Sequence, residues 1–167
     1  MRVLTKVFLR IEKISFNISM ITLCLMMLWI VIDVILRTVI NKPIPGTIEM
    51  TGEYLMVLLV YLSISYTNKL NGHIRVTLIM EKVNEKIKSI VKVFTNIIGA
   101  FFFISISWLN FLAGLEYYER GIKSTGVLSY SLAPALFIIS LGLLLITIRL
   151  LIESFFIIRP HKEEMHM

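Results

Sequence analysis

Four uncharged, strongly apolar runs dominate the chain: residues 14–32, 54–68, 93–115 and 124–148, of 19, 15, 23 and 25 residues. A bilayer hydrocarbon core of about 30 Å takes roughly 20 helical residues at about 1.5 Å each, so runs of this length point to a membrane. Lipid offers backbone groups no hydrogen-bond partner, and the runs are too long and unbroken for barrel strands. The sequence therefore predicts an all-α membrane protein with four transmembrane helices, over approximately residues 14–37, 50–69, 92–116 and 131–152. With 57% hydrophobic residues in a chain of 167, the spans leave little for an appended soluble domain, and a single four-helix domain over 1–167 is expected.

Charge distribution sets the expected orientation. Lysines and arginines number four before the first span, six between the second and third and three after the fourth, against two in each of the other loops. The positive-inside rule then places both termini in the cytoplasm. The net charge of +6 follows from that asymmetry and from attraction to anionic lipid. It does not signal nucleic-acid binding, for which no basic-aromatic stripe is present. The basic start of the chain runs into the first span and on to Asp33 without a small-residue cleavage site, so an uncleaved anchor is expected. Cys24, alone in the chain, excludes an intrachain disulfide and reads as a small buried apolar residue.

The connections carry their own signals. Residues 1–13 place Val3, Val7 and Ile11 at helical spacing away from Lys6, Arg10 and Lys13, the pattern of a segment lying along the inner interface before turning into the bilayer. Asn41-Lys42-Pro43-Ile44-Pro45-Gly46-Thr47 reads as a compact turn, making an antiparallel hairpin of the first two spans. After the break at Asn71-Gly72, Ile79, Val83, Ile87, Ile90 and Phe94 recur opposite Lys82, Glu85, Lys86 and Lys88, predicting a cytoplasmic amphipathic helix between the second and third spans. Pro134 falls where the first turn of the fourth span tolerates it.

Ionisable residues near the spans are the candidates for function. Asp33 and Arg37 are four apart, as are Glu49 and Glu53, so each pair shares a helix face and the two faces can meet across the short turn. The second span has only 15 uncharged residues, which brings Glu53 close to the boundary, where a carboxylate favours a cation; Arg37 is the expected partner. Glu116 and Arg120 repeat the spacing of Asp33 and Arg37. Trp29, Tyr54, Tyr117, Tyr118 and Tyr130 fall near the ends assigned to the outer boundary. Trp108 lies inside the third span and is expected to meet another protein or lipid tails.

Enzymatic readings lack residues. The three histidines, His73, His161 and His166, lie outside the spans, leaving no axial ligand for an intramembrane haem. No cysteine pair, HExxH, phosphate-binding loop or nucleophile elbow occurs, so no cofactor, metal site or catalytic residue is expected. No acid or base stands mid-span, so the embedded part reads as an apolar wall, a poor fit to a complete transporter. Small residues suited to close helix contact are present: Ser63, Ser65, Gly99, Ala100, Ala113, Gly114, Ser140 and Gly142. A supporting subunit is the expected role, with a small autonomous transporter or the membrane anchor of a redox enzyme as alternatives.

The run Asp33-Val34-Ile35-Leu36-Arg37, the turn Asn41 to Glu49 with Glu53 beyond it, and Asn71-Gly72-His73-Ile74-Arg75-Val76 together resemble the small permease (Q, DctQ-like) subunit of tripartite ATP-independent periplasmic (TRAP) transporters. The resemblance implies a subunit of the bacterial inner membrane that partners a large M permease carrying the substrate and sodium sites. A periplasmic binding protein delivers the solute, typically a carboxylate such as a C4-dicarboxylate or a sialic acid. It further implies a scaffold role in sodium symport, with the loops at 41–49 and 116–130 positioned to touch the binding protein.

Overall fold

The computed structural model describes residues 2–70 and 84–158. Among the described residues, five α-helical segments make four long rods: α1 (Arg2–Ile35), α2 (Thr47–Met50), α3 (Met56–Lys69), α4 (Glu85–Glu119) and α5 (Ala133–Ile158). A π-helical turn, Leu36–Ile40, extends α1, and another, Thr51–Leu55, fuses α2 to α3 into one rod. Four helices are thus long and apolar enough to cross a membrane: Thr5–Ile40, Thr47–Lys69, Ile87–Glu119 and Ala133–Ile158.

One expectation about the elements is corrected. Residues 2–13 do not form a separate interfacial segment; α1 runs unbroken from Arg2, because nothing from Val3 to Lys13 is a helix breaker. Of the amphipathic helix expected before the third span, Ile79 and Val83 lie outside the described residues; Ile87, Ile90 and Phe94 are exposed residues of α4, which runs unbroken from Glu85. The fourth helix begins at Ala133 with Pro134 in its first turn and reaches Ile158, and residues 124–132 before it form a loop joined by an antiparallel bridge between Lys123 and Ser131. Both α1 with its π-turn and α4 exceed the length that crosses a 30 Å core upright by roughly 20 Å, so they tilt or project beyond it.

Among the described residues, helix neighbours run in a row, α1–α3–α5–α4, with α1 and α4 at the edges. The turn at 41–46 and the loop at 121–132 share one end, here the hairpin end; residues 2–13, Lys69, the start of α4 and the last turns of α5 share the other, the terminal end.

The contacts between rods follow from an inverted interior. Exposed positions are large and apolar, whereas the buried residues of α5 are mostly small or hydroxyl-bearing: Ala133, Ala135, Ser140, Gly142, Thr147 and Ser154, with Leu143, Leu145, Ile146 and Leu150 filling between them. Without a hydrophobic drive between helices in lipid, close backbone approach and polar contacts hold them together. At Gly142 a Cβ would stand 2.3 Å from the Tyr61 carbonyl oxygen, and at Gly114 one would stand 2.9 Å from the Phe137 ring. Ser107 and Ser140 lock α4 to α5 reciprocally, each hydroxyl donating to the other residue's carbonyl at 2.8 and 2.9 Å. An apolar cluster of Ala100, Ile146 and Leu150, with Ile64 and Phe103 packed on it, lies between α3, α4 and α5. Cys24 is exposed, not buried, because the hairpin half of α1 lies at the edge of the row.

Replacing Gly142 with Leu should separate α3 from α5 and cost about 1–3 kcal/mol or more, because the blocking atom is backbone. Gly52→Ala, with nothing within 4 Å of the added carbon, should leave stability nearly unchanged. Thermal unfolding in a mild detergent distinguishes the two.

Candidate functional site

Two polar clusters, one at each end of the row, contain most of the charged residues that are not simply solvated. At the hairpin end, Asp33 is 3% exposed. Its Oδ1 accepts the Ile44 backbone N–H at 2.7 Å, and its Oδ2 accepts Arg37 Nη2 at 3.0 Å. One carboxylate therefore fastens the connecting turn to α1. The turn itself needs Asn41 (φ 55°) and Gly46 (φ 80°) in left-handed conformations, and a side chain at Gly46 would strike Leu128.

The expected meeting of Arg37 with Glu53 is not observed. Arg37 is satisfied by its own helix and stays 57% exposed, while Glu49 and Glu53 turn toward the loop before α5. Glu53 Oε1 accepts Ser124 Oγ at 3.2 Å, and Glu49 Oε1 accepts the Val127 N–H at 3.4 Å beside Gly126. Tyr54 donates its hydroxyl to the Ser131 carbonyl and meets the Tyr130 ring edge-on at 5.2 Å. The buried Tyr130 hydroxyl stands beside Glu53 and Ser124 without a well-formed hydrogen bond. Burial first, and then the Glu53 carboxylate, pushes this phenol up to about 12. The two hairpin connections thus form one interlocked cap.

Glu116 and Arg120 pair at 3.0 Å, but both are exposed, 52% and 69%, so the shared spacing with Asp33 and Arg37 hides different roles. Trp108 is 62% exposed on edge helix α4, stacked on Phe111 at 6.3 Å.

The terminal end holds a network that the sequence reading passed over. Glu12 on α1 is 1% exposed; its Oε1 accepts Ser65 Oγ from α3 at 2.6 Å, and its Oε2 faces Arg149 Nη1 from α5 at 3.5 Å. Arg149 Nη2 lies 3.9 Å from Glu153 Oε1, and Glu153 Oε2 accepts Asn96 Nδ2 from α4 at 3.4 Å. Ser65 also approaches the Leu145 carbonyl at 3.3 Å. All four rods contribute. Arg149 is one of the three cations that follow the fourth apolar run, yet it lies inside the fourth rod. The signal was present: Glu12, Ser15, Ser19 and Thr22 repeat at three and four residues and form a buried polar stripe on α1, and Arg149 and Glu153 stand four apart in an otherwise apolar helix. The embedded rods are therefore not the plain apolar wall expected, since the stripe and the Ser107–Ser140 pair carry polar contacts into them.

Among the described residues, no three His, Cys, Asp or Glu side chains gather as metal ligands. The groups of the two clusters serve one another across helices. The fold and its polar ties define a multi-pass helical membrane component. The sequence profile of the family described as "Tripartite ATP-independent periplasmic transporters, DctQ component" matches residues 26–159, well over half of the chain, which belongs to this family. Components of this family work with the DctM permease and a binding protein in TRAP systems, and a transporter component of this kind is in general not an enzyme. No curated protein and no solved structure matches the chain.

Asp33→Ala should cost about 1–3 kcal/mol, since it leaves the Ile44 N–H without its acceptor. Arg37→Ala removes only an exposed partner and should cost less than about 1 kcal/mol. Chemical denaturation of the two variants in detergent checks the order. Because the folded Tyr130 keeps its proton above the usual tyrosine value of 10.0, the unfolded chain binds fewer protons between pH 10 and 12, so stability falls as pH rises through that window. Tyr130→Phe should flatten that part of the fall, seen as a smaller loss of melting temperature between pH 10 and 12.

Proposed function

We propose that this chain is the fixed scaffold subunit of a sodium-coupled TRAP transporter for carboxylate solutes of the C4-dicarboxylate or sialic acid type. It sits in the bacterial inner membrane and holds the large M permease in place. The family match over residues 26–159 carries this reading. The row of rods, tied at both ends by hydrogen bonds and ion pairs between helices, supports a static part more than a moving one. The excess of lysine and arginine around residues 2–13, 69–92 and 149–162 supports cytoplasmic termini, with the hairpin end facing the periplasm. In that orientation the cap built on Asp33, Glu49 and Glu53 offers the binding protein a rigid surface. Exposed Trp108 on α4 is a candidate contact for the large subunit, and the Glu116–Arg120 pair is one for either partner.

Reconstitution tests the role. Liposomes containing this chain alone should show no uptake driven by a sodium gradient, and uptake should appear when the large permease and the binding protein are added. Uptake by the chain alone would overturn the scaffold reading. Lys42→Cys in a Cys24→Ser background should react with a membrane-impermeant maleimide in cells whose outer membrane is permeabilised; protection there with reaction only from the inner side would reverse the orientation.

A further inference from the structure

The attachment of α1 is unlike that of the other rods. Its buried positions toward the terminal end are Phe8, Glu12, Ser15, Ser19 and Thr22, and from Leu23 to Ile32 none is buried. As an edge element it packs mainly on α3. The Ser19 and Thr22 hydroxyls donate to Phe16 and Ile18 carbonyls of α1 itself, so they permit close approach without bonding across the seam. Phe16 stacks on Tyr66 at 4.4 Å, a contact without charge. Glu12 supplies both a hydrogen bond to α3 and an ion pair to α5, reaching past the small Ser65 to Arg149. At the hairpin end the Asp33–Ile44 bond ties α1 to its turn independently.

We infer that Glu12 is a charge-dependent latch: its carboxylate, paired with Arg149, clasps the terminal half of α1 to the row, and loss of that charge frees this half to swing about the Asp33-fastened turn. The partners bear this out in kind. Arg149 is held between two carboxylates, 3.5 Å from Glu12 and 3.9 Å from Glu153, and its Nε is buried without a partner among the described residues. With a neutral side chain in place of Glu12, Arg149 keeps Glu153 on its own helix, and the attraction between Glu12 and Arg149 across the seam is lost. Breaking a buried pair on one side is destabilising, which favours separation over a closed seam. α1 is then the conformational variable of an otherwise fixed subunit.

Distances between spin labels on the full chain in lipid nanodiscs, in a Cys24→Ser background, test the latch. One pair, Val7→Cys with Leu70→Cys, reports the terminal end, and another, Leu28→Cys with Met56→Cys, the hairpin half; all four positions are exposed. Glu12→Ala should lengthen and broaden the terminal-end distribution by about one helical pitch, roughly 5 Å, with the second pair unchanged. Glu12→Gln, which keeps the size and an acceptor for Ser65, should broaden the first pair too, since the charge is gone. A folded Glu12→Gln protein with the parent's distribution would overturn the role of charge. Equal lengthening of both pairs would overturn the pivot at the hairpin end.

Discussion

The attachment of α1 to the row depends on the contact between Glu12, Ser65 and Arg149. That contact is the place where an edge helix, its neighbour and the central α5 meet through one buried carboxylate. In water such a group would add little, because burying it costs nearly what its partners return. Among helices in lipid the comparison is different. Apolar side chains are as well solvated outside as inside, and polar groups with matched partners supply much of the direction. The interior of this chain is built accordingly, with serine, threonine, alanine and glycine facing inward and isoleucine, leucine and phenylalanine facing out.

Each end of the row solves a different problem. At the hairpin end the two connections would otherwise be independent loops, yet Glu49, Glu53 and Tyr54 reach from the start of the second rod into the loop before α5 and make one body of them. At the terminal end no short connections join the rods, and side chains do the work that turns do elsewhere: Glu12, Arg149, Glu153 and Asn96 link them laterally. In the scaffold role proposed above, forces applied at either end of the row would meet a cross-braced structure.

Much of the fold was legible from residue order. The charge-free runs marked all four rods, since lipid admits so few alternatives, and the Pro43, Pro45 and Gly46 cluster marked the turn. Gly142 and Ser140 were legible as contact residues because small side chains in an apolar helix have few other uses. Pairing across space was not. Arg37 was within reach of Glu53 by spacing, but its own-helix partner Asp33 was nearer and already buried against Ile44. Ser124 and Val127, the groups that meet the two glutamates, lie some 70 residues or more away in sequence and carry no charge to advertise them. The loop at 121–132 was legible from its glycines and serines and from Pro134 just beyond it, although its residues from Ser124 on carry no charge. Glu12 escaped notice among the basic residues Arg10 and Lys13, which set the local charge while the buried face set the structure.

The π-helical turn at Thr51–Leu55 separates Glu49, which faces the loop, from Ser65, which faces Glu12. A turn that bonds five residues back holds one residue more than an α-turn, and each residue carries about 100° of rotation. The widened turn therefore sets the angular phase between the two ends of the second rod. Removing that one residue would swing Ser65 about a quarter-turn off the α1 seam while the cap stayed in place, so the two polar ties are linked through the winding of a single helix.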